Sequence, residues 1–292
     1  MIYFVTDKII PNYINDTSCY RFINNKLNTG ESLKYLETCY PYYILKNNNC
    51  DVHIKLITYD DLHLIKRSDW LIFYLNSHYT SPKTIKSIDC NKIQIVTDTP
   101  LIEGMSIYIT YDPSILNDKH YNWYHVMYPQ PIGLVKCKPK WPPENIVCIS
   151  PAKYTCQDGT YPKEVKFIND SYHNDGDEHV LFHLREKVIM RHDLGLQTRM
   201  KYPSHKTANR LYQSWFCNAP GIFSTNPAME HIRRSEYDFI VANCMDELKC
   251  NVQRIQKDKT LYYNMVRNCI ERQDENSYGN VYKQWVYLLR QL

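Results

Sequence analysis

Short apolar runs recur along this chain with room for a helix between most of them, and that spacing constrains the fold more than any other feature. Ile2-Tyr3-Phe4-Val5 is the first. Val52–Ile57, Asp69–Leu75, Lys92–Val96 and Ser106–Thr110 follow, and His125–Gly133 closes the series. Runs of this length, bounded by turn residues such as Asp60-Asp61 and Asn76-Ser77-His78, read as buried strands. Helical stretches fall between them, from about Glu31 to Lys46 and from Pro82 to Ile88, where Pro82 suits a first turn. Strands alternating with helices predict an α/β chain with parallel sheets.

The pattern restarts after a break. Lys136 to Pro143 is rich in proline and lysine and reads as a linker. Beyond it, Asn145–Pro151, Glu164–Ile168 and His179–Leu184 are strand candidates, and Val281 to Leu292 carries Val281, Trp285, Leu288, Leu289 and Leu292 at helical spacing. A chain of 292 residues is long for one core and comfortable for two.

The most distinctive stretch is Lys206-Thr207-Ala208-Asn209-Arg210-Leu211-Tyr212-Gln213-Ser214-Trp215-Phe216. At about 100° per residue, Lys206, Arg210 and Gln213 share a narrow sector, with Leu211, Tyr212, Trp215 and Phe216 opposite. The expectation is a helix with one cationic, amide-bearing face and one core face. Its positive dipole end and two cations suit a phosphate or diphosphate. Asn218 and Pro220 should stop it, and Gly221-Ile222-Phe223-Ser224 should begin a strand. An ordinary amphipathic helix with two solvated cations is the competing reading.

This segment resembles the nucleotide-sugar-binding helix of family-4 retaining glycosyltransferases. Met229-Glu230-His231-Ile232 and Tyr237-Asp238-Phe239-Ile240-Val241 resemble the passage that follows it there, and Asp246-Glu247-Leu248 to Asn264-Met265-Val266 the helices after that. The family's Glu-x7-Glu pair falls on His205 and Gln213, so both carboxylates are missing. The pattern is most similar to a compact subset, including enzymes encoded by large algal viruses, with a Lys-x3-Lys/Arg run instead.

The resemblance implies two Rossmann-like domains with parallel sheets facing a cleft, the GT-B type. Residues 1–139 would form the acceptor side and 140–275 the donor side, with 276–292 a last helix packing back on the first domain. It implies hexose transfer with retention, from a nucleoside-diphosphate sugar, with a lean to GDP-mannose, to a glycan or glycoprotein. Arg185, Lys206 and Arg210 would stabilise the leaving diphosphate without a metal. Thr207, Ala208, Asn209, Gln213, Ser150 and Pro151 would hold the donor, Gln213 through ribose hydroxyls. Asp98, at a strand end, would contact sugar or acceptor, or else cap the strand. A nucleotide-sugar-binding protein without transfer activity is the alternative, a single-stranded nucleic-acid-binding module is a more distant one, and a homodimer is left open.

Several other classes are disfavoured. Lys and Arg exceed Asp and Glu by only four, 35 against 31, too few for nucleic-acid binding by charge alone, and the 26 tyrosines are scattered rather than gathered beside a basic stripe. No run of eighteen apolar residues occurs and the N-terminus reads as a strand rather than a signal peptide, which suggests a cytoplasmic protein, in the host if viral. Eleven cysteines without C-x-x-C spacing favour free, mostly buried thiols. Glu178-His179-x-x-x-His183 lacks a third metal ligand, and Asp175-Gly176-Asp177 reads as a turn.

Overall fold

The computed structural model describes residues 1–12, 35–75, 81–97, 101–128, 134–148, 165–167, 178, 180–183 and 207–292. The chain divides into two compact units. One comprises Met1–Ile132, His205–Thr207 and Asn276–Leu292; the other comprises Gly133–Ser204 and Ala208–Glu275.

In the first unit, β1 (Ile2–Thr6) leads to a turn of π-helix (Tyr35–Cys39) that runs into α1 (Tyr40–Asn47). Then come β2 (Ile54–Thr58), β3 (Trp70–Tyr74), α2 (Pro82–Ser87), β4 (Asn91–Val96), β5 (Ile107–Thr110) and β6 (Trp123–His125). All pairings are parallel, in the order β2-β1-β3-β4-β5-β6. Phe4 of central β1 sits opposite Leu56 on one side and Ile72 on the other, so the near-continuous apolar runs are those of strands with neighbours on both edges. The helix expected from about Glu31 is interrupted because Pro41 has no N–H to give to a preceding turn. The π-turn lets α1 restart with Pro41 in its first turn, where no donor is needed.

The second unit contains β7 (Ile146–Cys148), β8 (Val165–Phe167), β9 (Val180–His183), α3 (Asn209–Cys217), β10 (Gly221–Phe223), α4 (Pro227–Ile232), β11 (Ile240–Val241), α5 (Met245–Lys257) and α6 (Lys259–Arg272). Its sheet is also parallel throughout, in the order β11-β10-β9-β7-β8. Helix starts are capped as their sequences dictate: Asn226 Oδ1 accepts from Ala228 N at 2.9 Å ahead of α4, and Asp258 Oδ1 from Leu261 N at 2.9 Å ahead of α6.

In each sheet the first strand has the second on one side and the third on the other. That arrangement creates a topological switch point, between β1 and β3 and between β7 and β9 respectively, outside whose carboxyl ends ligands bind in open α/β sheets. The last helix, α7 (Tyr278–Leu289), belongs to the first unit. Its Trp285 lies 5.7 Å from the Phe4 ring, and Gln284 Oε1 accepts from Met127 N at 2.6 Å.

Lys136 to Pro143, expected to be a linker, falls within the second unit and is tied to its other elements. Cys137 N donates to Cys217 O at 2.8 Å, Lys140 N to the Tyr262 hydroxyl at 3.3 Å, and Gln256 Nε2 to Pro143 O at 3.0 Å. Among the described residues no helix is long and apolar enough to cross a membrane.

Candidate functional site at the start of the second unit's crossover helix

α3 connects β9 to β10, two parallel neighbours. A crossover between parallel strands must carry the chain back across the sheet, so the helix begins at the carboxyl edge, beside the β7/β9 switch point. Its far end is closed tightly. Asn218 takes the left-handed conformation at φ 57°, which Asn tolerates better than most residues. Ala219 N donates to Ser214 O at 3.1 Å and Ser214 Oγ to Ala219 O at 2.7 Å. The near end is preceded by Ala208, which has no side chain with which to cap it.

Asn209 and Arg210, in the first turn, are half-buried and engage neighbouring groups, as does half-buried Thr207, which falls with the first unit. Ala208 is buried. Gln213 departs from expectation. The helical wheel set it beside Arg210 on an open polar face, yet it is 1% exposed, and neither its Nε2 nor its Oε1 has a hydrogen-bond partner among the described residues. The reason is that α3 is enclosed on two sides. Leu211, Tyr212 and Trp215 join Val147, Leu181 and Phe223 of the sheet in one cluster with Cys269 of α6, and every residue from Leu211 to Trp215 is buried. Phe216, expected in the core, is instead half-buried beneath the Lys136 ammonium, 4.0 Å from its ring centre. A buried amide left without partners costs about 1–3 kcal/mol. Its donor and acceptor therefore form an unmet pair one turn behind Arg210.

Arg185, Lys206, Asp98, Ser150 and Pro151 lie outside the described residues, as do His205, Asp175 and Asp177. Glu178, the first member of the Glu178–His183 constellation, is buried and accepts from the Cys137 thiol at 3.4 Å. Among the described residues no three His, Cys, Asp or Glu side chains gather closely enough to hold a metal ion. Cys137, Cys217 and Cys269 are buried free thiols. Burial pushes Cys217 well above the ordinary thiol range and Cys269 up to about 12, so neither is a nucleophile at neutral pH.

A polar network that sequence reasoning missed holds α3 in place. The Arg272 guanidinium carbon lies over the Trp215 ring, 3.7 Å from its centre. Its Nη1 donates to Asp238 Oδ1 at 2.5 Å, and its Nε and Nη2 donate to the two oxygens of Glu275, each at 2.9 Å. Asp238, 0% exposed, also accepts from Arg234 N at 2.6 Å, Ser235 N at 2.9 Å and Asn268 Nδ2 at 2.8 Å, while its backbone carbonyl takes the Trp215 indole N–H at 3.3 Å. The signal was present only as the Asp238 passage of the family resemblance, which gave no hint of the partner 34 residues away.

No family model matches the sequence, and no curated protein matches it significantly. Solved structures do match in fold. HepE of Anabaena, crystallised in complex with UDP-glucose, aligns with a TM-score of 0.59 at 9% identity, over 100% of this chain and 99% of HepE. The same protein with UDP and glucose gives 0.58 at 10% identity over the same spans. Sucrose-phosphate synthase of Thermosynechococcus elongatus gives 0.53 at 9% identity over 76% of this chain and 73% of that one. At these identities the likeness is one of architecture: the chain has the α/β fold of GT-B glycosyltransferases, with two Rossmann-like units built on parallel sheets.

Proposed function

We propose that this chain is a retaining glycosyltransferase that moves a hexose from a nucleoside-diphosphate sugar to a glycan or glycoprotein acceptor, with the donor held around the start of α3. The observation that carries this reading is the unpartnered Gln213 amide buried one turn behind Arg210, at the carboxyl edge beside a switch point. A cation in the first turn, the helix dipole and a buried donor–acceptor pair suit a diphosphate joined to a ribose. The fold likeness to HepE, whose crystals hold UDP-glucose, supports the same ligand class.

In the proposed reaction the bond from the sugar's anomeric carbon to the diphosphate oxygen breaks with its electron pair leaving on the diphosphate. The acceptor hydroxyl oxygen bonds to that carbon from the same face, and its proton passes to the leaving phosphate oxygen. Arg210, with Lys206 and Arg185, offsets the developing charge, each preorganised contact contributing roughly 2.7–4 kcal/mol by analogy with an oxyanion-hole donor. A divalent ion is not needed for that role. GDP-mannose is the donor the sequence resemblance favours, and UDP-glucose the one the HepE structure suggests. The missing Glu pair, at His205 and Gln213, favours a second reading, a nucleotide-sugar-binding protein without transfer activity.

Thermal-shift and calorimetric titration with GDP-mannose, UDP-glucose and UDP-N-acetylglucosamine, in excess chelator, tests the proposal. One donor at 100 times its dissociation constant should add about 2.7 kcal/mol of stability. Arg210→Ala should weaken that donor and the bare nucleoside diphosphate alike, by about 1.5–3 kcal/mol for a charge-assisted contact. Absence of binding by every donor overturns the proposal, and binding that returns only with Mn²⁺ overturns its metal independence. Binding without donor hydrolysis or transfer selects the second reading.

A further inference from the structure

Cys137 and Cys217, both buried thiols of the second unit, are neighbours through backbone and side chain alike. Cys137 N donates to Cys217 O at 2.8 Å. With standard backbone dimensions, a hydrogen bond of that length keeps the two α-carbons within about 6.7 Å of each other. A disulfide needs a separation of about 4.4–6.8 Å. The thiols themselves hydrogen-bond to each other, and the Cys137 thiol donates to Glu178 Oε2 at 3.4 Å. Cys137 has a single proton to give and Glu178 takes it, so the Cys217 thiol is the donor to the Cys137 sulfur.

Access comes from the side of Cys137. Cys217, the last residue of α3, is 0% exposed and Cys137 is 4% exposed. Cys137 is nevertheless the single buried residue in 134–142, with Val135, Lys136, Lys138, Pro139 and Lys140 exposed around it, and that stretch has no helix or strand of its own. Parting a few of its residues from α3 lets a molecule as small as hydrogen peroxide reach the Cys137 sulfur, a local opening that costs less than unfolding. The third thiol of the same cluster, Cys269, is engaged elsewhere, in a hydrogen bond with Ser214.

We infer that Cys137 and Cys217 are a redox modification site, at which a peroxide converts the two thiols into a disulfide. In the first step the Cys137 sulfur bonds to one peroxide oxygen and the O–O bond breaks. The Cys137 proton passes through the Glu178 carboxylate to the leaving oxygen, which departs as water and leaves a sulfenic acid. In the second step the Cys217 sulfur bonds to the Cys137 sulfur, the S–O bond breaks, and the leaving hydroxide takes the Cys217 proton to form a second water. The two thiols lose two electrons and the peroxide gains them. Cys217 is no nucleophile while buried and protonated, and the departing hydroxide supplies the base it otherwise lacks. The new bond ties the end of α3 to residue 137 and closes a long loop, which constrains the unfolded chain. Nothing in this site depends on what the start of α3 binds.

The test exposes the full chain to hydrogen peroxide in native buffer, alkylates the remaining thiols with N-ethylmaleimide and maps the peptides by mass spectrometry. Cys244 and Cys250, which are exposed, report that the peroxide is active. One peptide pair joined through Cys137 and Cys217 is expected, released by dithiothreitol, with a melting temperature that rises on oxidation and returns on reduction. Cys217→Ala should stop at the Cys137 sulfenic acid, captured by dimedone, whereas in Cys137→Ala the enclosed Cys217 should stay reduced. Absence of the joined pair overturns the inference and leaves the thiols as small core residues. A pair that joins either cysteine to Cys269, or one that forms only in urea, overturns it as well, as does a joined pair that lowers the melting temperature. The wild-type map decides the matter even where an alanine variant fails to fold.

Discussion

Arg272→Ala should destabilise the second unit by about 3–5 kcal/mol, the range for removing one partner of a buried ion pair and leaving the other uncompensated. Arg272 is 6% exposed, and its removal would strand Asp238, which is fully enclosed, while also uncovering Trp215 and taking two hydrogen bonds from Glu275, which keeps its ion pair with Arg234. The pair also makes stability pH-dependent. Burial alone would raise the Asp238 carboxyl, but the N–H groups of Arg234 and Ser235, the Asn268 amide and the Arg272 guanidinium together outweigh it and hold the carboxyl below its ordinary value. A depressed folded-state pKa contributes stability that is fully present above the unfolded value of about 3.9 and is lost as pH falls through the folded value. Urea titrations should therefore show the wild type losing this contribution only below about pH 4, with Asp238→Asn flattening that acid limb. An Arg272→Ala loss under about 1 kcal/mol, typical of an exposed pair, would contradict the assignment of this network as the anchor of α3.

Trp215→Ala should cost a similar amount, about 3–5 kcal/mol, for a fully buried indole. The ring is held from three directions: edge-on by Tyr212 at 5.5 Å, face-on by Arg272 at 3.7 Å, and through its N–H to Asp238 O at 3.3 Å. Because Trp215 and Arg272 touch, their losses should not add. A double-mutant cycle should return a coupling of at least about 0.5 kcal/mol, whereas distant independent sites add to within about that margin. Amide exchange along α3 separates this local loss from any change in the first unit, which matters because a chain of two units need not unfold in one step.

Much of the architecture was legible from the apolar runs, because strands with parallel neighbours on both edges must be apolar on both faces. Ile2–Val5 became β1 with one residue added, Lys92–Val96 became β4, and the Val281–Leu292 periodicity became α7. β6 was harder to read, since Trp123, Tyr124 and His125 are all half-buried at the sheet's edge. The expected run there began only at His125. Pro41 was visible but its consequence, a π-turn, was not, since composition does not say whether a proline breaks a helix or merely restarts it.

The site was legible to a lesser degree, for a geometric reason. A helical wheel assigns faces relative to one neighbour, and α3 has two, the sheet and α6. Gln213 therefore shares a sector with Arg210 in sequence and is buried in space. Arg272 and Asp238 lie on separate elements, so their pairing has no periodicity to reveal it.

Replacing Gln213 by Met tests the central claim most directly, because it separates a ligand site from a packing fault. Methionine approximates the glutamine shape without the amide, so the unliganded protein should lose the penalty of burying unpartnered polar atoms and gain stability, by up to about 1–3 kcal/mol. If the amide serves the donor, calorimetric titration of Gln213→Met should show nucleotide-sugar affinity falling by about 0.5–1.5 kcal/mol, the worth of a neutral hydrogen bond. A more stable protein that binds its donor more weakly is the expected pair of results. A more stable protein with donor affinity unchanged would mean that the start of α3 is packed helix and not a donor site.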